Sequence, residues 1–542
     1  MTETLSPFAQ AIYLQKYSFN QRETWEDTAH RVVSAVAEVA PFTKYERQRL
    51  LELVTQRKFV PGGRYLYAAG RPFHQVQNCL LCRAADSREG WATLMQKAAM
   101  GLMTGAGLGV NYSDVRPKGR RVRKTGGTAT GPLALMQMVN EAGRHIMQGG
   151  ARRSALWAGL HWSHPDVLEF IAIKDWSPEL QRLKAADFNF PAPLDGTNVS
   201  VCLDREFFEA YAQGDAVAHQ VYWVAVRSML RTGEPGFSVD FHNPNESLRN
   251  ACTEVVSADD SDICNLGSLN LARFDSLDEF EEATHLATAF LLAGTLYSDV
   301  PYAEVATVRT KNRRLGLGLL GIHEWLIRRG LRYEPSPALG AWLDRWKANS
   351  DLAADLYAHS WGLERPVAVR AVAPTGTIGI VAETTTGAEP MFCVAYRRRY
   401  KGPDGHATHY QYVVDPVAQR MVEAGIDPHT LEDAYTLAAD PERRVAFQAW
   451  LQGYVDNAIS STINLPAWGT EHNSDLTVQA FGDMLLRYLP SLRGVTVYPD
   501  GARSGQPLVR VAYDTAVGKE GQVFYEAADV CDISGKGGSC GS

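Results

Sequence analysis

The feature that most limits the fold of this chain is an alternation sustained over more than 400 residues: from about residue 79 onward, short apolar runs and Gly-rich turns take turns with amphipathic helical patterns. Segments 198–203, 236–240, 367–372 and 494–498 are rich in Val and read as strands. Helical patterns cover 87–103, a stretch that starts at Pro132 and stops at Gly149-Gly150, and roughly 278–312, 338–361 and 440–458. Strands joined through helices run parallel, with the helices laid against the sheet, so the chain is predicted to be α/β with a parallel sheet or barrel. The first 60 residues read instead as helices, with capping-box spacing at Thr43-Lys44-Tyr45-Glu46 ahead of Leu50, Leu51 and Leu53. No repeat or low-complexity linker interrupts this pattern before a Gly-rich tail that begins near residue 518.

Charge narrows the partners. The 542 residues carry 54 Lys+Arg against 61 Asp+Glu, a net charge of −7, which offers no global field to nucleic acid or anionic membrane. The N-terminus lacks the basic start and apolar core of a signal peptide, and the longest apolar stretch, around 286–297, falls short of the roughly 20 residues that span a bilayer. A cytoplasmic protein with neither nucleic acid nor membrane as partner is expected. Eight cysteines are too few for a disulfide scaffold. In the cytoplasm they stay reduced unless they turn over.

Several of those cysteines sit in chemically suggestive company. Asn250-Ala251-Cys252-Thr253-Glu254 places an amide, a thiol and a carboxylate at alternate positions, which share one side of an extended segment. The flanking Asn243-Pro244-Asn245 and polar 257–262 favour a loop. A carboxylate beside a thiol raises the thiol pKa, so this arrangement suits a neutral hydrogen-atom donor or radical, with Glu254 as general base, rather than a thiolate. A buried Cys in an irregular segment is the plainer alternative. Cys264 follows twelve residues later, and Cys79-Leu80-Leu81-Cys82 reads as half a zinc site, a redox motif, or the end of a buried strand. With no second CxxC and no suitably spaced His, zinc is discounted and no metal-ligand set is expected. Pro374-Thr375-Gly376-Thr377-Ile378 follows a strand-like run and offers backbone N–H groups and hydroxyls to an anion, without the Lys of a Walker motif. Gly105-Ala106-Gly107-Leu108-Gly109 follows a helix, which removes it from the dinucleotide fingerprint. The basic run Arg116, Lys118, Arg120, Arg121, Arg123, Lys124 is either a solvated face or a polyphosphate site. Cys531 and Cys540 flank Ser534-Gly535-Lys536-Gly537-Gly538 in the tail and could shuttle reducing equivalents.

From about Phe59 to its end the chain resembles the catalytic subunit of ribonucleotide reductases, specifically the adenosylcobalamin-dependent class II enzymes. The resemblance rests on FVPGGR (59–64), NCLLC (78–82), TGAGLGVNYSDVRPKG (104–119), GGTATGPL (126–133), QGGARRSALWAGLHWSHPDVLEFI (148–171), NACTE (250–254), DICNLGSLNL (262–271), RRLGLGLLG (313–321), PTGTIG (374–379) and GVTVYPDGARSGQPL (494–508). It implies a ten-stranded α/β barrel with an inner finger loop. The expected domains are a helical segment over 1–75, the barrel over 76–517 and a redox tail over 518–542. It also implies that Cys252 becomes a thiyl radical that takes the ribose 3′-hydrogen, that Glu254 takes the 3′-hydroxyl proton and that Asn250 holds the substrate. Cys79 and Cys264 would supply two electrons as the 2′-hydroxyl leaves as water. Cys531 and Cys540 would reduce the resulting disulfide before a thioredoxin-like protein regenerates them. Asn78 and the Pro374, Thr375, Gly376, Thr377, Ile378 turn would bind the substrate and its phosphates. Asp86 and Ser87 would bind a deoxynucleotide or ATP specificity effector, with Arg116 and Arg123 on its phosphates and 149–154 relaying its identity. Where the usual class II motif flanks the radical cysteine with Pro and Gly, this chain has Ala251 and Thr253. Its tail cysteines are also spaced more widely than is common. Cys82, Cys202 and Cys393 are read as structural.

Within the family, class I large subunits receive their radical through adjacent tyrosines near the C-terminus, and no Tyr-Tyr occurs in this chain. Class III enzymes lack a thiol at the Cys264 position. Adenosylcobalamin is therefore the expected cofactor, with a class I-type subunit served by a separate metal-bearing partner as the alternative. The roughly 75 residues before the first barrel cysteine leave no room for an ATP-binding regulatory domain as well as a short helical one, so control of specificity without dATP shut-off is expected. A homodimer through the effector helices is expected too. Two other classes compete: a thiol–disulfide oxidoreductase built on Cys79, Cys82 and the tail pair, whose activity would survive Cys252→Ser, and a non-catalytic nucleotide-binding module, which would form no product.

Overall fold

The structure is a computed structural model that describes residues 4–123, 125–149, 152–187, 189–401, 408–502, 508–520 and 522–525. Cys531 and Cys540 lie outside these residues, as do Gly150 and Ala151 of the proposed relay loop. The chain forms two compact units: one takes in residues 1–392 and 432–504, the other 393–431 and the chain from 505 on.

In the first unit the alternating pattern folds as a barrel. Strands Cys79–Arg83, Gly107–Asn111, Leu156–His161, Thr197–Asp204 and Gly236–Asp240 pair in parallel, each with the next. A second set begins with Asp262–Asn270 parallel to Leu315–Leu320 and ends with Thr462–Leu465 parallel to Gly494–Pro499. The two sets meet antiparallel at both seams, Cys264 opposite Cys79 and Val495 opposite Phe237. The remaining gap is closed by extended chain at 368–372, where the sequence predicts a strand. Leu317 N donates to Val369 O (2.8 Å), Ala371 N to Leu317 O (3.1 Å) and Ser460 N to Val372 O (2.9 Å). Ten staves result, five in each direction.

The N-terminal segment supplies helices Pro7–Lys16, Trp25–Ala37 and Lys44–Thr55. Thr24 with Asp27, and Thr43 with Glu46, close reciprocal capping boxes. Tyr13, Val32, Val36, Leu50 and Leu53 join Leu315, Leu317 and Leu319 of the barrel in one hydrophobic core. Such burial is worth about 1.5–3 kcal/mol per large side chain. Three helical stretches are shorter than their sequence pattern. The 278–312 pattern breaks into Leu277–Tyr297 and Ala303–Asn312, because Pro301 lacks an N–H and disfavours helical backbone before it. The 440–458 pattern stops at Gln452, and Asn457 instead donates from Nδ2 to Leu315 O and Arg370 O, tying two staves together. The helix from Pro132 ends at His145 rather than Gly149, and the chain passes into a short ladder of Met147–Gln148 with Arg152–Arg153.

The second unit holds a four-stranded antiparallel sheet in the order Leu508–Arg510, Ala395–Lys401, Thr408–Val414, Val523–Tyr525. Among the described residues no helix is long and apolar enough to cross a membrane.

Candidate active site

Between the two sets of staves the chain doubles back as a finger, Leu248–Arg249 antiparallel to Val256–Ser257. It runs against the inner wall: a Cβ on Gly109 would lie 1.8 Å from Arg249 O, so the stave must carry glycine there. Arg249, fully buried, anchors the base. Its Nη2 meets Asp240 Oδ1 at 2.5 Å and Val239 O at 3.1 Å, and its Nη1 donates to Leu248 O at 3.0 Å. Ala458 N donates to Glu254 O (2.9 Å) and steadies the other arm.

NACTE forms the tip. The segment is a turn and not the extended run that alternate spacing suggests: Thr253 N donates to Asn250 O (3.1 Å), and Thr253 takes a left-handed φ of +66°. Asn250 and Glu254 therefore face each other across the turn, both buried, while Cys252 is exposed at its apex. Asn250 Oδ1 accepts from Val255 N (3.0 Å), which fixes the amide.

Beneath the tip lie Cys79 and Cys264, in a small cluster with Leu81, Leu248 and Val255 inside the barrel. They are directly opposite residues of antiparallel staves. Such pairs have Cα atoms about 4.5–5.5 Å apart, within the span a disulfide requires. Cys79 Sγ donates to Glu254 Oε1 at 3.7 Å, and Glu254 Oε2 has no partner. Burial raises both thiols well above their usual pKa, Cys79 further so by the neighbouring Glu254, so both hold their hydrogens at neutral pH. Burial likewise pushes Glu254 up to about 7, against the opposing pull of hydrogen bonds that include Asn250 and Cys79. A buried carboxylate that titrates near neutrality is suited to take up and return a proton.

Sequence reasoning missed what backs this centre. Asp262 Oδ2 accepts from Arg314 Nε (2.8 Å), Ser257 Oγ (2.7 Å) and Asn312 Nδ2 (2.9 Å), all buried, two residues from Cys264. Asp262 and Arg314 stand at the heads of two of the quoted motifs, yet nothing in either run signals that they pair.

The remaining predicted positions fall into two groups. Pro374–Ile378 leaves the end of the closing stave and enters the helix Gly376–Ala382. Gly376 is exposed with open space around it, Thr377 is half-buried and Ile378 points into the core. Thr375 Oγ1 accepts from Gly387 N (2.8 Å) and keeps its hydrogen to donate. Asn78 continues the Cys79 stave, its N–H on Cys264 O (3.1 Å). In the other group, Ser87 caps the helix Arg88–Thr104 by accepting from Gly90 N (2.9 Å). Beside it, Arg116 Nε reaches both oxygens of Asp86 at 2.9 and 2.8 Å. Arg123 lies on the exposed turn of a hairpin whose arms pair through Arg121 and Thr128, so the structure pairs Arg116 with Asp86, next to Ser87, and leaves Arg123 on a separate turn. Cys82, Cys202 and Cys393 are buried. Among the described residues no group of three or more His, Cys, Asp or Glu is arranged to hold a metal ion.

Comparison with known proteins agrees with this architecture. The family profile described as "Ribonucleotide reductase, barrel domain" matches residues 77–225, 226–341 and 362–491. The vitamin B12-dependent ribonucleoside-diphosphate reductase of Mycobacterium tuberculosis (strain CDC 1551 / Oshkosh) is 29% identical over 530 residues, 86% of this chain and 73% of that one. A protein of Mycobacterium phage D29, assigned as an adenosylcobalamin-dependent ribonucleoside-triphosphate reductase, is 26% identical across 98% of both chains. Among solved structures, the alpha subunit of the Actinobacillus ureae class Id ribonucleotide reductase superposes with a TM-score of 0.74 at 15% identity, over 92% of this chain and 97% of that one. A B-12 dependent (class II) ribonucleotide reductase gives 0.69 at 16%, over 94% of each. With the barrel profile matched over nearly three-quarters of its length, a finger inside that barrel and a thiol pair beneath the finger, the chain belongs to the ribonucleotide reductases.

Proposed function

We propose that this chain reduces ribonucleoside di- or triphosphates to 2′-deoxyribonucleotides by thiyl-radical chemistry, with adenosylcobalamin as the radical source. One observation carries the reading: Cys79 and Cys264 oppose each other on antiparallel staves, buried below the turn that presents Cys252. In this reading Cys252 abstracts the 3′-hydrogen and later returns it. Glu254 accepts the 3′-hydroxyl proton, and Asn250 orients the ribose. The 2′-hydroxyl leaves as water while Cys79 and Cys264 give two electrons and two protons and close to a disulfide, so ribonucleotide plus two thiols becomes deoxyribonucleotide, disulfide and water.

Adenosylcobalamin, when bound, supplies a carbon radical through homolysis of its cobalt–carbon bond. Cys252 fits that requirement, since it alone of the five central residues is exposed. The vitamin B12-dependent relatives favour this source over a class I-type arrangement with a separate metal-bearing subunit. The tail cysteines Cys531 and Cys540 would reopen the disulfide and pass it to a thioredoxin-like reductant. Asp86, Ser87, Arg116 and Arg123 would hold a deoxynucleotide or ATP effector. The exposed Met103 and Met138, on the packed helices Arg88–Thr104 and Pro132–His145, support a homodimer through that face. A cytoplasmic site of action completes the reading.

The test is anaerobic turnover of CDP and CTP with a dithiol, with and without adenosylcobalamin. Deoxynucleotide formed only with the cofactor is the expected result. Product formed only after a metal-bearing partner is added would overturn the choice of radical source.

A further inference from the structure

The short helix Gly376–Ala382, which follows the proposed phosphate turn, is pinned at its start by a residue of that turn and at its end by residues outside any motif. Thr375 before it and Glu383 after it are both left-handed, at φ +45° and +55°. Neither is a glycine, so surrounding contacts must hold them there. Thr375 is held through Gly387 N, as described above. Glu383 is held by the N-terminal segment: its Oε1 accepts from Ser6 N (3.0 Å) and its Oε2 from Arg57 Nη1 (3.0 Å). The same Arg57 Nη1 donates to Val381 O (3.3 Å).

Arg57 is itself left-handed, at φ +57°, just beyond the helix Lys44–Thr55. The ion pair is enclosed, with 3% of the Arg57 and 11% of the Glu383 side chain exposed. It neutralises a carboxylate at a helix C-terminus, where the macrodipole disfavours negative charge, and satisfies a terminal carbonyl that has no helical partner. The helix Pro7–Lys16 packs directly on the same short helix. The far end of the phosphate-turn helix thus rests on residues more than 300 positions earlier in the chain.

The geometry points to Arg57, Glu383 and Ser6 as positioning residues for substrate binding: the N-terminal helical segment holds the short helix in place and thereby sets how well the 374–378 turn receives the ribonucleotide's phosphates. The inference rests on the reading of that turn as the phosphate site. Because the ion pair lies at the end of the helix away from the turn, it acts on binding and not on the radical step.

Full-length protein with adenosylcobalamin, CDP and a dithiol tests this. Arg57→Met raises KM for CDP about tenfold and changes kcat by less than about twofold, the signature of lost uniform binding. Arg57→Lys, which restores the charge, brings KM back to within about threefold of the parent. Glu383→Gln, which keeps the shape of the side chain, raises KM in the same direction and carries the test if Arg57→Met fails to fold. Unchanged KM in Arg57→Met and Glu383→Gln, or a fall in kcat at constant KM, overturns the inference. Thr377→Val separates the two layers. If it raises KM while the Arg57 and Glu383 variants do not, only the positioning role fails. If it leaves KM unchanged, the phosphate site and the positioning role fail together.

Discussion

Glu254 in the finger and Asp86 ahead of the Arg88–Thr104 helix are both carboxylates placed beside a proposed nucleotide site, yet the fold treats them in opposite ways. Glu254 is buried without a cation, one oxygen unpartnered, and its pKa rises to about 7. Asp86 is about one-third exposed and bound through both oxygens by Arg116. Burial without a partner turns a carboxylate into a base that works near neutral pH. An exposed, solvent-screened ion pair is instead something a ligand can trade: an incoming phosphate can take the guanidinium from Asp86 at small cost. The centre is thus made reactive by exclusion of water, and the proposed effector surface is made exchangeable by access to it.

That contrast predicts that loss at the centre is absolute and loss at the surface is regulatory. Cys252→Ser should lower turnover by more than about 10³-fold, since the serine O–H cannot replace the thiol as hydrogen-atom donor. Retained CDP reduction in an anaerobic assay would mean that Cys252 is not the group that takes the 3′-hydrogen. A buried ion pair should behave like the centre and not like the surface. Asp262→Asn leaves Arg314 charged and enclosed, so it should cost about 3–5 kcal/mol in chemical denaturation. Arg116→Ala at the exposed pair should leave the denaturation midpoint nearly unchanged. Equal losses would dissolve the distinction.

Asp86→Asn should leave unstimulated CDP turnover intact while weakening the response to a deoxynucleotide effector by about 5–150-fold, the usual span of allosteric coupling. A comparable fall in basal rate would place Asp86 in the catalytic machinery instead. The pH profile probes the other side of the contrast. Below about 7 Glu254 carries a proton and cannot accept the 3′-hydroxyl proton. The rate of the chemical step should therefore fall about tenfold per pH unit on the acid side and level off above. Stability has the opposite sign. The folded state binds this proton more tightly than the ordinary value of 4.5, so Glu254's contribution is full below 4.5 and is lost as pH rises toward about 7. An acid limb near 4.5 would mean that Glu254 is not the base, or that substrate binding restores its ordinary pKa.

The sequence revealed more of the barrel than of the site's supports, and the reason is range. Strand and helix periodicity is local, so the staves at 236–240 and 494–499 are readable almost to the residue. Closure by 368–372 is not, because it depends on hydrogen bonds to 315–317 and 458–460. Cys79, Asn250, Cys252, Glu254 and Cys264 drew attention because their residue types are chemically conspicuous. Arg249 with Asp240, Arg314 with Asp262, and Arg57 with Glu383 did not, since a charged residue in one sequence carries no mark of the partner it meets 9, 52 or 326 positions away. Alternate spacing in NACTE did suggest convergence, but by extended geometry. The turn that achieves it needs a left-handed residue, and nothing in a threonine advertises that.

Thr253 gives the smallest effect and the closest view of how the tip is held. At φ +66° a β-branched residue is strained by roughly 1–3 kcal/mol, and glycine, which the usual class II motif carries at this place, would not be. Thr253→Gly removes that strain but also loosens the unfolded chain, which offsets about 1 kcal/mol of the gain. The expected net is a stabilisation of about 0–2 kcal/mol, read as a higher denaturation midpoint at unchanged slope. Activity separates two reasons for a threonine here. If the strain only reflects the residue at hand, turnover is kept, because the Thr253 N–H still donates to Asn250 O and the backbone path to Cys252 is the same. If the stiff β-branched side chain is what holds the apex still, kcat falls even as the protein becomes more stable. Rigidity at the exposed thiol would then be maintained at the expense of stability, next to a carboxylate made basic by the same economy.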